Sequence, residues 1–300
     1  KTGSMILTWT MAGLPSCSTM KLSGRLKSIN TMRNPCSSSP NQENNMEQIL
    51  YQLKMIRLSG MANGLPIRLQ EAQANDLSYL DFLANLVQDE LLKRQERLLN
   101  RRLKSARLPE LKTLDTFDFS FNPGIRKKTI MDLAACRFIQ NNEPVILLGP
   151  PGVGKTHLAI GLAITAVEKG FTAIYRSIFD LADELAEAAA LGQRKQMIYN
   201  LVKPDLLVVD EFGMRNLAPT AAEDLLEIIH RRYRHGSTLI ATNRPLEDWG
   251  KLLGDNAATS AILDRMMHTV HMIMITGRSY RLKHADEKEQ KELDNESKKE

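Results

Sequence analysis

Val145-Ile-Leu-Leu-Gly-Pro-Pro-Gly-Val-Gly-Lys-Thr156-His-Leu-Ala-Ile-Gly-Leu-Ala-Ile-Thr-Ala-Val167 is the segment from which the rest of the chain can be read. Its first four residues form a short, fully apolar run, as expected of a parallel strand buried on both faces. Gly149–Thr156 fits G-x-x-x-x-G-K-[ST] at every position, and a helical pattern follows at once. Chance would produce this motif roughly once in a hundred chains of this length. The chemistry needs these residue types. Glycines let backbone N–H groups turn inward around an anion, and the helix directs its positive N-terminus at phosphates. Lys155 adds a point charge for the β- and γ-phosphates, and the Thr156 hydroxyl suits Mg²⁺. Gly149, Pro150, Pro151, Gly152, Val153, Gly154, Lys155, Thr156 and His157 are therefore the expected nucleotide-binding stretch.

Downstream, Pro204-Asp-Leu-Leu-Val-Val-Asp-Glu211 reads as a second buried strand ending in two acids. Asp210 at a strand end is placed to hold Mg²⁺, directly or through water, and Glu211 to polarise an attacking water. An adjacent acid pair favours a hydrolysing ATPase over a nucleotide kinase. A third strand, Ser237–Asn243, ends in Asn243, which suits orientation of that water. Arg-Pro-Leu follows Asn243, so the Asn-Lys-x-Asp element of guanine recognition is missing. Near the C-terminus, Ala261–Met267 reads as a helix carrying Arg265, and Gly277-Arg-Ser-Tyr-Arg281 follows a stretch that reads as a strand at 270–276. From about residue 125 onward strands and helices alternate, the pattern of a parallel sheet covered by helices.

Upstream, residues 46–108 read as a small helical domain. Ile49, Leu50, Leu53, Ile56 and Leu58 share a helical face, and Gly60, Gly64 and Pro66 are expected to break that helix. A long apolar pattern from Leu80 to Leu103 follows, with Asp76 or Ser78 as its cap. Residues 91–107 hold seven basic groups against Glu96 alone, a net +6. Lys93, Arg94, Arg97, Arg101, Arg102 and Lys104 form a basic helix that can lie on DNA phosphates or simply be solvated. Residues 109–124 read as a linker with alternating aromatics.

Composition sets outer bounds. The 300 residues are 43% hydrophobic, ordinary for a globular protein. The net charge of +5 suggests nucleic acid, but +4 of it lies in residues 1–45. That stretch, rich in Ser, Thr and Asn, reads as a leader outside the fold, with Met46 a plausible start. Residues 284–300 read as a charged, solvated tail. Cys17, Cys36 and Cys136 show neither metal-ligand nor redox spacing, which points to a reducing compartment. No apolar run reaches the roughly 18 residues of a membrane span.

The ordered set Gly149–Thr156, Leu206–Glu211, Ala241–Asn243, Ile262–Met266 and Ser279–Arg281 resembles the AAA+ ATPases of the DnaC/IstB group. Arg101–Phe121, Ile229–Arg234, Ser237–Pro245 and Trp249–Asp255 are similar to IstB, the ATP-dependent helper of an insertion-sequence transposase. The resemblance covers about 46–283. It implies a small all-α domain followed by an α/β AAA+ module over 125–283 with a five-stranded parallel sheet. It implies ATP and Mg²⁺ as cofactors and Asn243 as first sensor. It also implies Arg265 as a finger entering a neighbour's site, and Arg281, or else Arg278, as second sensor. It further implies a cytoplasmic, nucleoid-associated homo-oligomer that assembles with ATP on duplex DNA of little sequence preference, deforms it and engages a cognate transposase. With that implication the basic helix becomes the expected DNA contact. A replicative helicase loader sharing the same ATPase core is the alternative.

Overall fold

A computed structural model describes residues 40–214, 217–250 and 256–280. The residues fall into two compact units that part between Gln52 and Leu53. The first contributes most of helix α1 (Pro40–Met55), which starts six residues before Met46. Residues 1–39 and 281–300, and with them most of the leader, the tail and Arg281, lie outside the described residues.

The second unit opens with two long helices, α2 (Ser59–Ala74) and α3 (Tyr79–Ala106). Gly60, Gly64 and Pro66 do not break a helix, contrary to expectation; α2 runs through all three. The break falls earlier, where Arg57 takes a left-handed φ of 60°. The two glycines are contact points. A Cβ on Gly60 would sit 2.6 Å from the Glu90 Cα, and one on Gly64 2.3 Å from Asp89 Oδ2, so only glycine admits α3 this closely. Ser78 caps α3, accepting from the Asp81 N–H at 3.2 Å. Leu58, at the head of α2, offers no side-chain cap. Glu90 of α3 supplies one, its Oε2 accepting from the N–H groups of Gly60 (2.6 Å) and Met61 (3.3 Å).

Beyond a 3₁₀ turn (Leu114–Thr116) and two short helices, α4 (Lys127–Ala134) and α5 (Arg137–Gln140), strands and helices alternate. They are β1 (Val145–Leu148), α6 (Lys155–Glu168), β2 (Ala173–Ser177), α7 (Ile178–Ala190), α8 (Arg194–Val202) and β3 (Leu206–Phe212). Then come α9 (Pro219–Arg232), β4 (Ser237–Thr242), α10 (Asn256–Met267) and β5 (His271–Met274). The five strands form one parallel sheet in the order β2-β3-β4-β1-β5. This is the α/β AAA+ architecture that the resemblance implies, with the P-loop between β1 and α6. The strand alternation sorts two cores. Val145, Leu147, Tyr175, Val208, Leu239 and Ala241 face α6, which is buried along nearly its whole length. Ile146, Leu207, Val209 and Ile240 face α7, α8 and α9. The C-terminal end of α3 joins the first core through Ala106, Leu103 and Leu99.

Arg232 closes the end of the sheet remote from the P-loop. It is 1% exposed. Its guanidinium donates to the carbonyls of Leu201 (3.1 Å), Val202 (2.9 Å), Pro204 (2.7 Å), Asp205 (3.2 Å) and Ser237, and to the Thr238 hydroxyl (3.1 Å). Burial pushes its pKa down to about 10, partly opposed by the Asp205 charge.

Candidate functional site

Adjacent strands β1, β4 and β3 end side by side, and their C-terminal edge carries residues of the types expected for phosphate chemistry. Leu148 of β1 pairs with Thr242 of β4, and Thr242 with Phe212 of β3. Gly149, Asn243 and the Asp210–Glu211 pair therefore issue from one edge, the place where ligands bind in open α/β sheets. The Gly149 N–H donates to the Thr242 carbonyl at 3.1 Å, fastening the start of the P-loop to β4.

The loop geometry explains its glycines. Gly152 and Gly154 have φ of 82° and 99°, a region that side chains with a Cβ avoid. Their surroundings are equally restrictive: a Cβ on Gly152 would meet Ser279 Oγ at 2.1 Å, and one on Gly154 would meet the Phe117 ring at 2.7 Å. Lys155 lies at the N-terminus of α6, where its Nζ donates to the carbonyls of Gly149 (2.7 Å) and Pro150 (2.8 Å). The ammonium thus already sits inside the turn of the loop, where β- and γ-phosphate oxygens would compete for it. Thr156 follows in the first helical turn with its hydroxyl on the same helix end.

Asp210 is 2% exposed and lies on the α6 side of the sheet. Its Oδ1 accepts from the Glu211 N–H (2.7 Å) and its Oδ2 from the Tyr175 hydroxyl (2.9 Å). Burial first, then the Asp210 charge and the bond to it, push the Tyr175 phenol far above its ordinary range, so it remains a donor. Glu211 is exposed and takes a left-handed φ of 58°, within the β3–β4 irregularity between Val209 and Phe212. A bulge at this point turns Glu211 out of the strand's alternation while Asp210 stays inside. Asn243 Oδ1 is a buried oxygen with no hydrogen-bond partner among the described residues. Such an atom at a phosphate site suits a bound water or ligand donor. The oxygen donors of Thr156 and Asp210 fit Mg²⁺, a hard cation that prefers such ligands.

The linker, read as a simple connection, forms a wall of the site. A cavity of about 420 Å³ lies beside the P-loop, lined by Phe117, Phe121, Asn122, Thr156, His157 and Tyr280 among others. His157 Nε2 is engaged by the linker, 2.8 Å from the Thr113 carbonyl and 3.2 Å from Thr116 Oγ1, with the Phe117 ring edge-on at 5.1 Å. Asn122 is buried, its Nδ2 donating to the P-loop carbonyl of Val153 at 3.1 Å. From the other side, the Tyr280 N–H donates to Gly152 O at 3.0 Å and its ring packs edge-on to Phe121. Sequence reasoning missed Asn122, Tyr175 and Tyr280. The alternating aromatics were visible, but nothing in the pattern joined them to a loop some 30 residues on.

Two expected groups stand apart. Arg265 lines a small cleft with Asn142, Pro144 and Gly236, at the opposite end of the strands from the P-loop, and donates to the Ala261 carbonyl at 3.3 Å. It does not reach the P-loop of its own chain. The basic helix is α3. There Lys93 pairs with Glu96 (2.8 Å), Arg94 with Glu90 (2.7 Å) and Arg97 bonds Ser59 Oγ. Arg101 and Lys104 are exposed and have no ion-pair partner among the described residues, while Arg102 lies against Gly170.

With this geometry in view, residues 51–288 match the family model described as IstB-like ATP binding protein. The chain belongs to this family. It is 39% identical over 238 residues to a protein named as the ATP-binding protein of insertion sequence IS21 in Pseudomonas aeruginosa, covering 79% of this chain and 89% of that one. It is 34% identical over 248 residues to the corresponding protein of insertion sequence IS5376 in Geobacillus stearothermophilus, covering 83% of this chain and 99% of that one. Among solved structures, the crystal structure of the DnaC helicase loader aligns at 24% identity with a TM-score of 0.45, over 55% of this chain and 96% of that chain. ATP binding is thus what the geometry of the P-loop and the description of the family agree on. Among the described residues, no helix is long and apolar enough to cross a membrane.

Proposed function

We propose that this protein hydrolyses ATP as the helper of an insertion-sequence transposase, assembling with further copies on duplex DNA of little sequence preference. In this reading it deforms the DNA and recruits the transposase, hydrolysis governs disassembly and target choice, and the work takes place at the bacterial nucleoid. The observation that carries the reading is the shared strand edge that gathers Gly149–Thr156, Asp210, Glu211 and Asn243, in a family named for ATP binding.

The chain's residues divide the work. Backbone N–H groups of the P-loop and the Lys155 ammonium hold the β- and γ-phosphates. Thr156 and Asp210 would hold Mg²⁺, whose charge offsets that of the phosphate oxygens. The exposed Glu211 carboxylate takes the proton of the attacking water as its oxygen bonds to the γ-phosphorus and the β–γ bridging bond breaks. Asn243 Oδ1 accepts the water's other hydrogen and sets its line of approach. Arg265, half-buried at the end of the sheet remote from its own P-loop, is the residue that a neighbouring chain would receive.

Glu211→Gln is expected to keep nucleotide affinity and lower turnover by about 10²–10³-fold. Both are read on the full chain, with and without duplex DNA, by nucleotide binding and phosphate release. Wild-type protein that binds ATP but shows no turnover with DNA present would overturn the ATPase reading. Capture of a replicative helicase in place of the transposase would overturn the transposition reading.

A further inference from the structure

Tyr175 has no part in the phosphate chemistry described so far, yet it is the residue that holds Asp210 from behind. It stands on β2, and the register Ser177↔Asp210 places it two residues back along the neighbouring strand. Ala173, Tyr175, Leu206 and Val208 belong to the core beneath α6, so the phenol rises on the side of the sheet where α6 starts. Tyr175 is 8% exposed; it belongs to the apolar core beneath α6 and also lines a cleft with Arg107, Asp180 and Asp183. Its hydroxyl donates to Asp210 Oδ2 at 2.9 Å.

The Asp210 carboxylate is thus gripped at both oxygens, by the Glu211 N–H at Oδ1 and by the Tyr175 hydroxyl at Oδ2. The grip at Oδ1 comes from the bulged backbone and survives any side-chain change at 175. The grip at Oδ2 is the one that fixes rotation about the Cβ–Cγ bond. A carboxylate with one oxygen free swings; with both engaged, its remaining lone pairs point one way. Partners of this kind, one step behind a metal-binding oxygen, set ligand orientation.

We infer that Tyr175 is a positioning residue for magnesium, holding Asp210 in the orientation in which it engages Mg²⁺ beside the bound nucleotide. The inference rests on the assignment of Asp210 to Mg²⁺ made above. It separates two quantities that a merely structural tyrosine would move together. Affinity for nucleotide without magnesium depends on the P-loop and Lys155, which Tyr175 does not touch. The strengthening of that affinity by magnesium depends on Asp210.

The test uses the full chain and a non-hydrolysable ATP analogue, with binding followed by calorimetry across a Mg²⁺ titration and at zero Mg²⁺ in chelator. For Tyr175→Phe, affinity without magnesium stays at the wild-type value. The Mg²⁺ concentration giving half of the strengthening rises about tenfold. Asp210→Asn, measured alongside, loses the strengthening altogether. A Tyr175→Phe protein that titrates like the wild type, while Asp210→Asn does not, overturns the role of Tyr175 and leaves Asp210 in place. Equal loss with and without magnesium in Tyr175→Phe also overturns it, by showing a structural role. An Asp210→Asn protein with wild-type magnesium response would overturn the assignment of Asp210 itself.

Discussion

Arg232 shows how much one side chain can hold. Its guanidinium gathers five carbonyls from the end of α8, the start of β3 and the start of β4. Arg232→Met keeps the apolar stem and removes every donor, so those carbonyls lose their partner inside a closed environment. The expected loss is about 3–5 kcal/mol of stability in denaturant unfolding. A change below 1 kcal/mol would mean that water enters and takes over. In the sequence this arginine stood inside Ile229-His-Arg-Arg-Tyr-Arg234 as one cation among three. Its burial depends on strands that arrive from elsewhere in the chain. Lys155, Asp210, Glu211 and Asn243 were legible because each sits at a fixed offset from a strand that announces itself by apolar composition. Tyr175 and Asn122 were not, because their partners lie 35 and 31 residues away.

At the scale of elements, the α2–α3 pair depends on a cap lent by one helix to the other. The Glu90 carboxyl would be raised by burial. The Arg94 guanidinium and the N–H groups of Gly60 and Met61 outweigh this and hold it below its ordinary value of 4.5. A carboxyl depressed on folding stabilises the fold above its ordinary pKa, and that contribution is lost as pH falls through the folded value. Glu90→Gln should therefore lower the Tm by about 2–4 °C near neutral pH. The gap to wild type should close as pH drops below 4.5; a gap constant down to acid pH would show that the charge is not what caps α2. On the same helix, Lys93 and Arg94 are already paired and Arg97 is bonded to Ser59 Oγ, which leaves Arg101 and Lys104 as exposed cations with no ion-pair partner among the described residues. Reversing both to Glu should weaken duplex DNA binding and lower the slope of log K against log salt by about 2. Unchanged affinity across a salt titration would remove α3 from the DNA interface. The failed reading of Gly60 and Gly64 belongs here too. Glycine in a sequence signals freedom, but whether a turn or a close neighbour uses that freedom depends on a helix 30 residues away.

At the scale of the molecule, Arg265 and the P-loop occupy opposite ends of one parallel sheet. Arg265→Ala should bind ATP as the wild type does and lose most turnover. Mixing it with a Lys155→Ala protein, itself inactive, should restore part of the activity, since each chain then supplies what the other lacks. Absence of any recovery in the mixture, with normal turnover by Arg265→Ala alone, would end its role between chains. The cavity beside the P-loop has a different consequence. Its walls come from Phe117, Phe121 and Asn122 before β1 and from Tyr280 after β5. The smallest fragment able to keep that lining must begin ahead of Glu110 and run past Tyr280. A cut at the start of the alternating strands and helices would strip the P-loop of these walls, and the core beneath α6 of Ala106 and Leu114.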